Sequence, residues 1–443
     1  MEGSEQADTP GHRLAADGDR TSRPAWVRVA PFLGRPPALT RRQWRVLGLV
    51  AMASFFEMYD LYLFALTLKQ IQADLAISEA SLGVLGSLVR FGALPACVVA
   101  LVADRVGRRT VLLGTILAYT LFTGATACAP TAQIFVLLQF GARTFAVAET
   151  LLAVVVIAEE FDPDVRGWGI GAVGAIQACG AGFAALLFMG IEVLPFGWRG
   201  LYLVGLGPLL LLAAWRRTLP ETVHFAAHQA TRGSATSALG PLRDLVRMYP
   251  GRLCAVAAAV FVLELAEAPA GFFGPKYLQD VHGWTPAAIG LLTIGGGALA
   301  IVGNMVAGWG SDRWGRRRVA LVFILGQVVW TLAYYSVSGS LLVVAWIGRI
   351  FMALGANVTL SAFGVELFPT SYRSTAAGMR IVCVTLGGSL GLLLEALLYS
   401  VVASHWVVIS ALATLAFPGA LLVARCFPET AGRTLDDIAP ERA

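Results

Sequence analysis

The sequence of 443 residues is 57% hydrophobic and 14% charged, whereas soluble proteins carry about 25% charged residues. Together with repeated apolar runs of about 20 residues, this composition excludes an ordinary soluble domain and indicates a polytopic helical membrane protein. The formal net charge of +5 does not indicate nucleic-acid binding, because the basic residues lie in short loops between the apolar runs.

Twelve membrane spans are predicted, and their numbers are kept below. They cover residues 46–68, 81–103, 110–129, 134–158, 168–192, 199–215, 253–273, 286–309, 318–336, 341–365, 375–399 and 405–426. Residues 1–40 are polar and rich in Pro, Gly and Arg, so we expect a disordered tail and no signal peptide. Arginines fill alternate loops, which places both termini in the cytoplasm by the positive-inside rule. We therefore expect a multi-pass protein of the cell membrane that contacts lipid and acts as a monomer.

Span 1 contains FFEMYD (55–60), whose two acids are the only charged residues between positions 46 and 68. Glu57 and Asp60 are three residues apart and so share one helix face. A carboxylate at membrane depth costs about 2.5–3.5 kcal/mol even on insertion scales, so these acids are expected to have a function. Burial favours the protonated carboxyl group and a neighbouring arginine favours the ionised one. We predict that Asp60, together with Glu57, is a proton-coupling site; the alternative is a permanent ion pair that holds spans 1, 2 and 4 together.

Three arginines lie at about the depth of these acids, from the rise of 1.5 Å per helical residue. They are Arg90 in span 2, Arg143 in span 4 and Arg349 in span 10. Arg90 has two interpretations: its planar guanidinium suits a substrate carboxylate, and it could equally neutralise Glu57 or Asp60. Movement of Arg90 or Arg143 away from the acids would switch their proton affinity between the two faces.

The two halves of the chain match at a shift of 206–208 residues. The match pairs Glu57 with Glu264, Asp60 with Glu267, Arg143 with Arg349, and the chain's only two lysines, Lys69 and Lys276. Six spans repeated in the same orientation predict two bundles around a central path. We accordingly predict 1–40 as a tail, 41–217 and 253–427 as six-helix bundles, 218–252 as a cytoplasmic linker and 428–443 as a second tail. The aromatic residues Tyr59, Tyr62 and Phe272 flank the acids and could stack on a ring or a cation.

The loops after spans 2 and 8 read ADRVGRR (103–109) and SDRWGRR (311–317), and acidic segments follow spans 4 and 10. Gly107 permits a tight turn between spans. Pairs between the loop arginines and acids such as Glu160 and Glu366 would form and break as the bundles move; the alternative is that positive charge only sets the topology. The candidate gating residues are Asp104, Arg105, Gly107, Arg108, Arg109, Glu160, Arg166, Asp312, Arg313, Gly315, Arg316, Arg317, Glu366 and Arg373. Arg380 and Glu395 in span 11 lie nearer the faces and are predicted to be gate or rim residues.

These loops resemble the signature loops of the major facilitator superfamily, and PET at 220–222 and 428–430 resembles its sugar-porter-related branch. FFEMYD resembles the acidic span-1 motif of the metabolite:proton and aromatic-acid:proton symporters and their organic-ion relatives. The usual motif has two aspartates around Gly-Tyr, where this chain has Glu57-Met58-Tyr59-Asp60. The resemblance implies an all-α fold of twelve helices in two pseudo-symmetric bundles, alternating access to a midplane site, and a coupling or binding role for Arg143.

We therefore expect proton-coupled symport of a small organic anion, a carboxylate, with Arg90, Arg143, Tyr59, Tyr62, Glu264, Glu267 and Phe272 as candidate substrate contacts. The alternatives are an exporter of organic cations that uses Glu264 and Glu267, a sugar:proton symporter, and a non-transporting receptor on the same scaffold. We expect no enzyme activity and no cofactor beyond the proton. No metal site is expected, because the six cysteines lack CxxC spacing and the HFAAH segment (224–228) is not HExxH.

Overall fold

The computed structural model describes residues 36–216, 240–369, 372–433 and 438–439, with Pro24, Trp26 and Leu33 before them. Most of the predicted tail at 1–40, the HFAAH segment of the predicted linker, and residues 434–437 and 440–443 of the second tail lie outside this description. The predicted boundaries of the tails and the linker therefore stay predictions.

The described chain is helical at each of the twelve predicted spans. The first half contains α1 (Arg41–Leu66), α2 (Leu68–Asp74), α3 (Glu79–Phe91), α4 (Ala93–Val106), α5 (Arg108–Thr126), α6 (Ala132–Glu160), α7 (Pro163–Phe188) and α8 (Trp198–Arg216). The second half contains α9 (Gly240–Met248), α10 (Pro250–Asp280), α11 (Pro286–Trp314), α12 (Arg316–Tyr334), α13 (Ser340–Glu366), α14 (Arg373–Val402), α15 (His405–Ala413) and α16 (Ala416–Cys426). Span 1 is α1, span 2 is α3 with α4, spans 3–6 are α5–α8, spans 7–11 are α10–α14, and span 12 is α15 with α16. Eleven of the spans are long and apolar enough to cross a membrane, and span 3 is a shorter apolar helix over Thr110–Thr126.

Local chemistry fixes where several spans begin. Span 1 starts with a capping box in which Thr40 and Gln43 satisfy each other's backbone N–H groups. Gly107 and Gly315 take positive φ values of 111° and 101°, which only glycine adopts without strain, and so turn the chain tightly into spans 3 and 9. Glu429, from the second PET motif, accepts hydrogen bonds from the first two backbone N–H groups of span 9.

Glycines bring the spans of each bundle into backbone contact. Span 1 packs on span 5, and its counterpart span 7 packs on span 11. A Cβ atom added at Gly180 would lie 2.0 Å from the carbonyl oxygen of Phe55, and one at Gly387 would lie 2.3 Å from that of Phe261. Small residues thus permit the same close approach in both halves.

The bundle has two faces. The basic face carries the arginine-rich loops at 104–109 and 312–318, and the opposite face carries the connections at 67–78, 281–285 and 403–404. The two halves meet toward the opposite face, where α3 packs on α14 and α7 packs on α11. Gly86 in α3 lies against Phe272 and Leu392 of the second half. At the basic face, the recorded ion pairs Arg42–Glu160 and Arg316–Glu366 each join residues of the same half.

The helices depart from the prediction in the linker, at the start of span 7 and within span 12. The amphipathic helix α9 lies within the predicted linker, and span 7 begins at Pro250 instead of residue 253. Span 12 is interrupted at Thr414 and Leu415, between α15 and α16. Pro418 explains this break, because its ring nitrogen cannot donate to the carbonyl of Thr414 and the ring crowds that carbonyl.

Candidate functional site

A cavity of about 470 Å³ lies between the two halves and is lined mainly by the second half. Its charged lining residues are Arg90, Arg143, Glu264, Glu267, Arg349 and Arg380. A much smaller pocket of about 20 Å³, lined in part by Glu57, Asp60, Gln139 and Arg143, lies beside it. Arg143 lines both spaces, so the predicted proton site and the larger cavity are neighbours.

Glu57 is buried and held by three partners. One carboxylate oxygen accepts from Arg143 Nη1 at 2.9 Å, and the other accepts from Gln177 Nε2 at 2.7 Å and from Thr150 Oγ1 at 3.2 Å. These partners come from spans 4 and 5, so Glu57 ties three spans of the first bundle together. Such a carboxylate is well compensated in its ionised form.

Asp60 is equally buried, with 6% of its surface exposed, but its environment differs. Its Oδ1 atom is enclosed and has no hydrogen-bond partner among the described residues, and no ion pair to Asp60 is recorded there. An uncompensated buried charge is costly, so this position favours a carboxyl group that can bind a proton.

A break in span 2 positions two of the arginines. The helix is interrupted at Gly92, between α3 and α4, where an added Cβ atom would lie 2.4 Å from the carbonyl oxygen of Phe140 in span 4. Thr144 Oγ1 donates to the carbonyl oxygen of Gly92 at 2.7 Å. The contact places Arg90, two residues before Gly92, and Arg143, beside Thr144, at one level of the bundle.

The second half repeats the acid–arginine arrangement one helical turn later. Arg349 Nη1 lies 2.6 Å from Glu267 Oε1, and Gln327 Nε2 donates to Glu267 Oε2 at 2.8 Å. Glu267 corresponds in the repeat to Asp60, whereas Arg143 in the first half pairs with Glu57. The two halves therefore use equivalent arginines on non-equivalent acids.

Arg90 connects the two bundles. Its Nη2 atom lies 2.7 Å from Glu264 Oε2 in span 7, and its guanidinium lies against Gly388 of span 11, where an added Cβ atom would be 2.3 Å from Cζ. In this structure Arg90 thus pairs with Glu264 and not with Glu57 or Asp60. Its predicted role in substrate binding stays a prediction.

Arg380 lines the cavity, although the sequence placed it near a rim. Neither an ion pair nor a hydrogen bond to its side chain is recorded within the described residues. The sequence analysis assigned it to a gate or rim because its position in span 11 lies nearer a face than the midplane. The sequence did contain a signal for a cavity position, because Arg380 is the one basic residue in the long apolar run of span 11.

Aromatic side chains form part of the cavity wall. Tyr62 and Phe272, two of the candidate substrate contacts, line it, and Trp346 joins them with an enclosed Nε1–H that has no partner in the described chain. The structure does not bring Tyr59 to this cavity. Its side chain is buried against Phe183, and its hydroxyl donates to the carbonyl oxygen of Leu201 at 2.6 Å.

Several predicted gating residues form contacts within their own half. Arg316 pairs with Glu366 at 2.7 Å and with Asp312 at 3.2 Å, and Glu160 accepts from Arg42 at 2.7 Å instead of from a loop arginine. Arg373 Nε donates to a nearby backbone carbonyl, that of Phe368. The side chains of Asp104, Arg105, Arg108 and Arg109 lie outside the described part of the chain. Their gating role stays a prediction.

The comparison with known families matches this architecture. A model described as the Major Facilitator Superfamily matches residues 50–285 and 256–441. The chain belongs to the major facilitator superfamily. This transporter is accordingly a multi-pass membrane protein with a small-molecule substrate, and it is not an enzyme. The predicted family and the all-α fold are confirmed.

Relatives of known name resemble this transporter along most of its length. It is 25% identical to a gentisate transporter of Corynebacterium glutamicum, over 74% of both chains. It is 26% identical to the 4-hydroxybenzoate transporter PcaK of Pseudomonas putida, covering 82% of this chain and 87% of the relative. Among solved structures, the inward open xylose transporter XylE from E. coli has a TM-score of 0.72 at 15% identity, covering 89% of this chain and 99% of that one. That likeness concerns the fold alone.

Proposed function

We propose that this transporter carries a small aromatic carboxylate together with a proton, in the same direction, by alternating access. One observation carries the proposal: among the described residues, the site holds one arginine and one carboxylate without ion-pair partners. Arg380 lies on the cavity and Asp60 beside the small pocket. The other acids and arginines that line the two spaces are paired with residues of opposite charge: Arg90 with Glu264, Arg143 with Glu57 and Arg349 with Glu267.

The two unpaired groups fit a carboxylate anion and a proton. A guanidinium can accept a substrate carboxylate through two parallel hydrogen bonds, which would satisfy Arg380. Protonation of Asp60 would remove the remaining uncompensated charge. Binding one anion and one proton thus leaves neither Arg380 nor Asp60 as an uncompensated charge in the occupied site.

The cavity wall and the relatives support an aromatic substrate. Phe272, Trp346 and Tyr62 offer ring faces and edges on which an aromatic acid can pack. Relatives named as gentisate, gallate, benzoate and 4-hydroxybenzoate transporters span most of this chain. Both observations favour a ring-bearing carboxylate over an aliphatic one.

Asp60 is the stronger candidate for the coupled proton, and Glu57 has a positioning role for Arg143. Glu57 already has an ionic partner and two hydrogen bonds, so its proton is not needed to satisfy the site. Arg143 lies between the two acids and the cavity. Movement of its guanidinium toward Asp60 would expel the proton from Asp60 once the cavity faces the receiving side.

Orientation follows from the charge of the loops. We infer that the basic face is cytoplasmic, because arginine-rich loops stay on that side of the membrane. The halves meet toward the opposite face, so the structure corresponds to a state closed to the outside.

The first test measures internal pH in proteoliposomes while candidate substrates are added outside. The panel contains benzoate, 4-hydroxybenzoate and gentisate, an aliphatic carboxylate, an organic cation and a sugar. We expect aromatic carboxylates to acidify the lumen, with no response in protein-free liposomes once passive permeation is subtracted. Alkalinisation by the cation would replace this proposal with cation–proton exchange, and acidification by the sugar alone would replace it with sugar symport.

A further inference from the structure

On the opposite face, a chain of charged side chains connects the two bundles. Glu79, at the start of span 2, is the first-half member; its Oε1 atom lies 3.1 Å from Lys276 Nζ and its Oε2 atom 3.1 Å from His405 Nε2. His405 Nδ1 in turn lies 2.5 Å from Glu395 Oε1. Glu79, Lys276, Glu395 and His405 are called the closing cluster below.

The second-half members of the closing cluster are enclosed. Glu395 has no exposed surface, Lys276 is 2% exposed and His405 is 5% exposed. The imidazole stacks between the rings of Phe273 and Tyr399, with centroids 4.6 and 4.1 Å away. This stacking fixes the ring plane and aims both nitrogens at carboxylate oxygens.

The geometry requires a proton. A neutral imidazole has one N–H and one lone pair, so it can donate to only one carboxylate and would present its lone pair to the other. Because both nitrogens lie within hydrogen-bond distance of carboxylate oxygens, the group of His405, Glu79 and Glu395 holds one proton more than a neutral ring and two carboxylates.

The surrounding charges lead to the same count. Lys276 contacts Asp280 as well as Glu79, and Lys69 from the first half contacts Asp280 at 2.9 Å. Three carboxylates therefore meet two ammonium groups, and a protonated His405 supplies the third positive charge. The other titratable neighbours, Tyr399 and Tyr335, carry no charge near neutral pH.

We propose that the closing cluster is a proton-controlled latch: a proton on His405 holds the face opposite the basic face closed, and its loss favours opening. Opening must carry Glu79 away from His405, because Glu79 belongs to the first bundle and His405 to the second. Span 2 must also leave Glu395, since a Cβ atom at Gly83 would lie 2.5 Å from Glu395 Oε2. In the closed state a protonated His405 contacts two carboxylates, and in the open state it contacts only Glu395. His405 therefore binds a proton more tightly in the closed state, and by linkage the bound proton favours closure.

The latch deepens the proposed function without depending on its substrate. In a proton symporter, closure of the outer face by an arriving proton is the step that turns the loaded carrier inward. His405 would then act as a positioning residue for the gate, distinct from the coupling carboxylate Asp60.

The test measures the distance across the opposite face without any substrate. Spin labels are placed at Ala73→Cys in α2 and Ala287→Cys in α11, both exposed, in the full chain with its six native cysteines replaced by serine. Distances are recorded by double electron–electron resonance in nanodiscs from about pH 6 to about pH 9. We expect the longer-distance population to rise by about tenfold, the change that one unit of difference in proton affinity produces. A distance distribution that does not move with pH overturns the proposal.

Three variants separate the latch from a general effect of pH. His405→Gln, and independently Glu79→Gln, should remove the pH dependence, whereas His282→Gln, which alters another histidine near the same face, should keep it. A pH-dependent distance that survives in either His405→Gln or Glu79→Gln overturns the proposal. A distance that responds to pH through His405 while no aromatic carboxylate acidifies the proteoliposomes would uphold the latch and reject the proposed substrate.

Discussion

At the centre of the molecule, Asp60 and Glu57 share one helix face but differ in their partners. Glu57 accepts from Arg143, Gln177 and Thr150, while an oxygen of Asp60 is enclosed without a donor from the described chain. Two acids only three residues apart thus differ: Glu57 completes a hydrogen-bond network, and Asp60 keeps an oxygen without a donor among the described residues. Their separate roles can be tested by mutation.

The first prediction concerns Asp60→Asn. The amide cannot gain or lose a proton, so uphill accumulation of an aromatic carboxylate driven by a pH gradient should fall to the background. Exchange of labelled for unlabelled substrate should persist, since the neutral amide imitates the protonated acid. Both are measured in proteoliposomes, with the exposed Glu192→Gln as a matched control. Gradient-driven accumulation at the parental level by Asp60→Asn would rule out Asp60 as the coupling group.

The second prediction concerns Arg380 and the charge of the substrate. Hydrogen bonds to charged groups contribute about 1.5–3 kcal/mol, so Arg380→Gln should raise the KM for a carboxylate by about 10- to 100-fold. Arg380→Lys should raise KM less, because it keeps the charge and loses the two-pronged geometry.

The neutral amide of the same aromatic acid serves as a control for Arg380. In a competition assay it should inhibit parent and Arg380→Gln transporters equally, because it makes no ion pair. A KM for the carboxylate that is unchanged in Arg380→Gln would remove Arg380 from the binding site.

At the scale of helices, the third prediction compares two glycines of span 5. A Cβ atom at Gly180 would lie 2.0 Å from a backbone oxygen of span 1, whereas one at Gly182 meets no atom within 4 Å. Gly180→Ala should therefore separate spans 1 and 5 and destabilise the protein by about 1–3 kcal/mol, the usual cost of overpacking. Gly182→Ala should be neutral or slightly stabilising. Thermal unfolding midpoints in detergent compare the two, and equal midpoints would contradict this account of the packing.

The spans were predictable because an apolar run of about 20 residues has few alternatives to a membrane helix. The repeat was visible because acids are scarce within membrane spans and the chain has only two lysines, which correspond in the two halves. The partners of those acids were not predictable. Arg143 and Arg349 are equivalent in the repeat but choose acids one turn apart, and a turn is only about 5.4 Å. Side-chain reach and helix rotation decide such a choice, and neither can be derived from spacing.

The contacts of the closing cluster were also not predictable, because they join residues that are far apart in the sequence. Glu395 could be placed in span 11 from the sequence, and Lys276 just after the predicted end of span 7, but Glu79 and His405 are 326 residues apart. Their contact depends on how the two bundles meet, a property of the assembled fold. Arg380 was assigned to a rim from its depth in span 11, whereas its side chain lines the cavity. The direction in which a long side chain extends could not be derived from the sequence.

At the scale of the whole molecule, the charge count predicts the driving force. One monovalent carboxylate bound at Arg380 and one proton bound at Asp60 carry no net charge across the membrane. Transport should therefore follow the pH gradient and be nearly indifferent to the membrane potential, even though moving a single net charge would contribute about 2.3 kcal/mol per 100 mV. The measurement is initial uptake into proteoliposomes with a pH gradient alone and with a valinomycin-imposed potassium potential alone.

The same apparatus gives an internal comparison through substrate charge. An aromatic dicarboxylate carried with one proton would move a net negative charge, so its uptake should slow when the lumen is made negative, while uptake of the monocarboxylate stays constant. Acceleration of monocarboxylate uptake by a negative lumen would mean that more than one proton accompanies each anion. In that case a second carboxyl group besides Asp60 must bind a proton during the cycle, and Glu57 and Glu267 become the residues to substitute next.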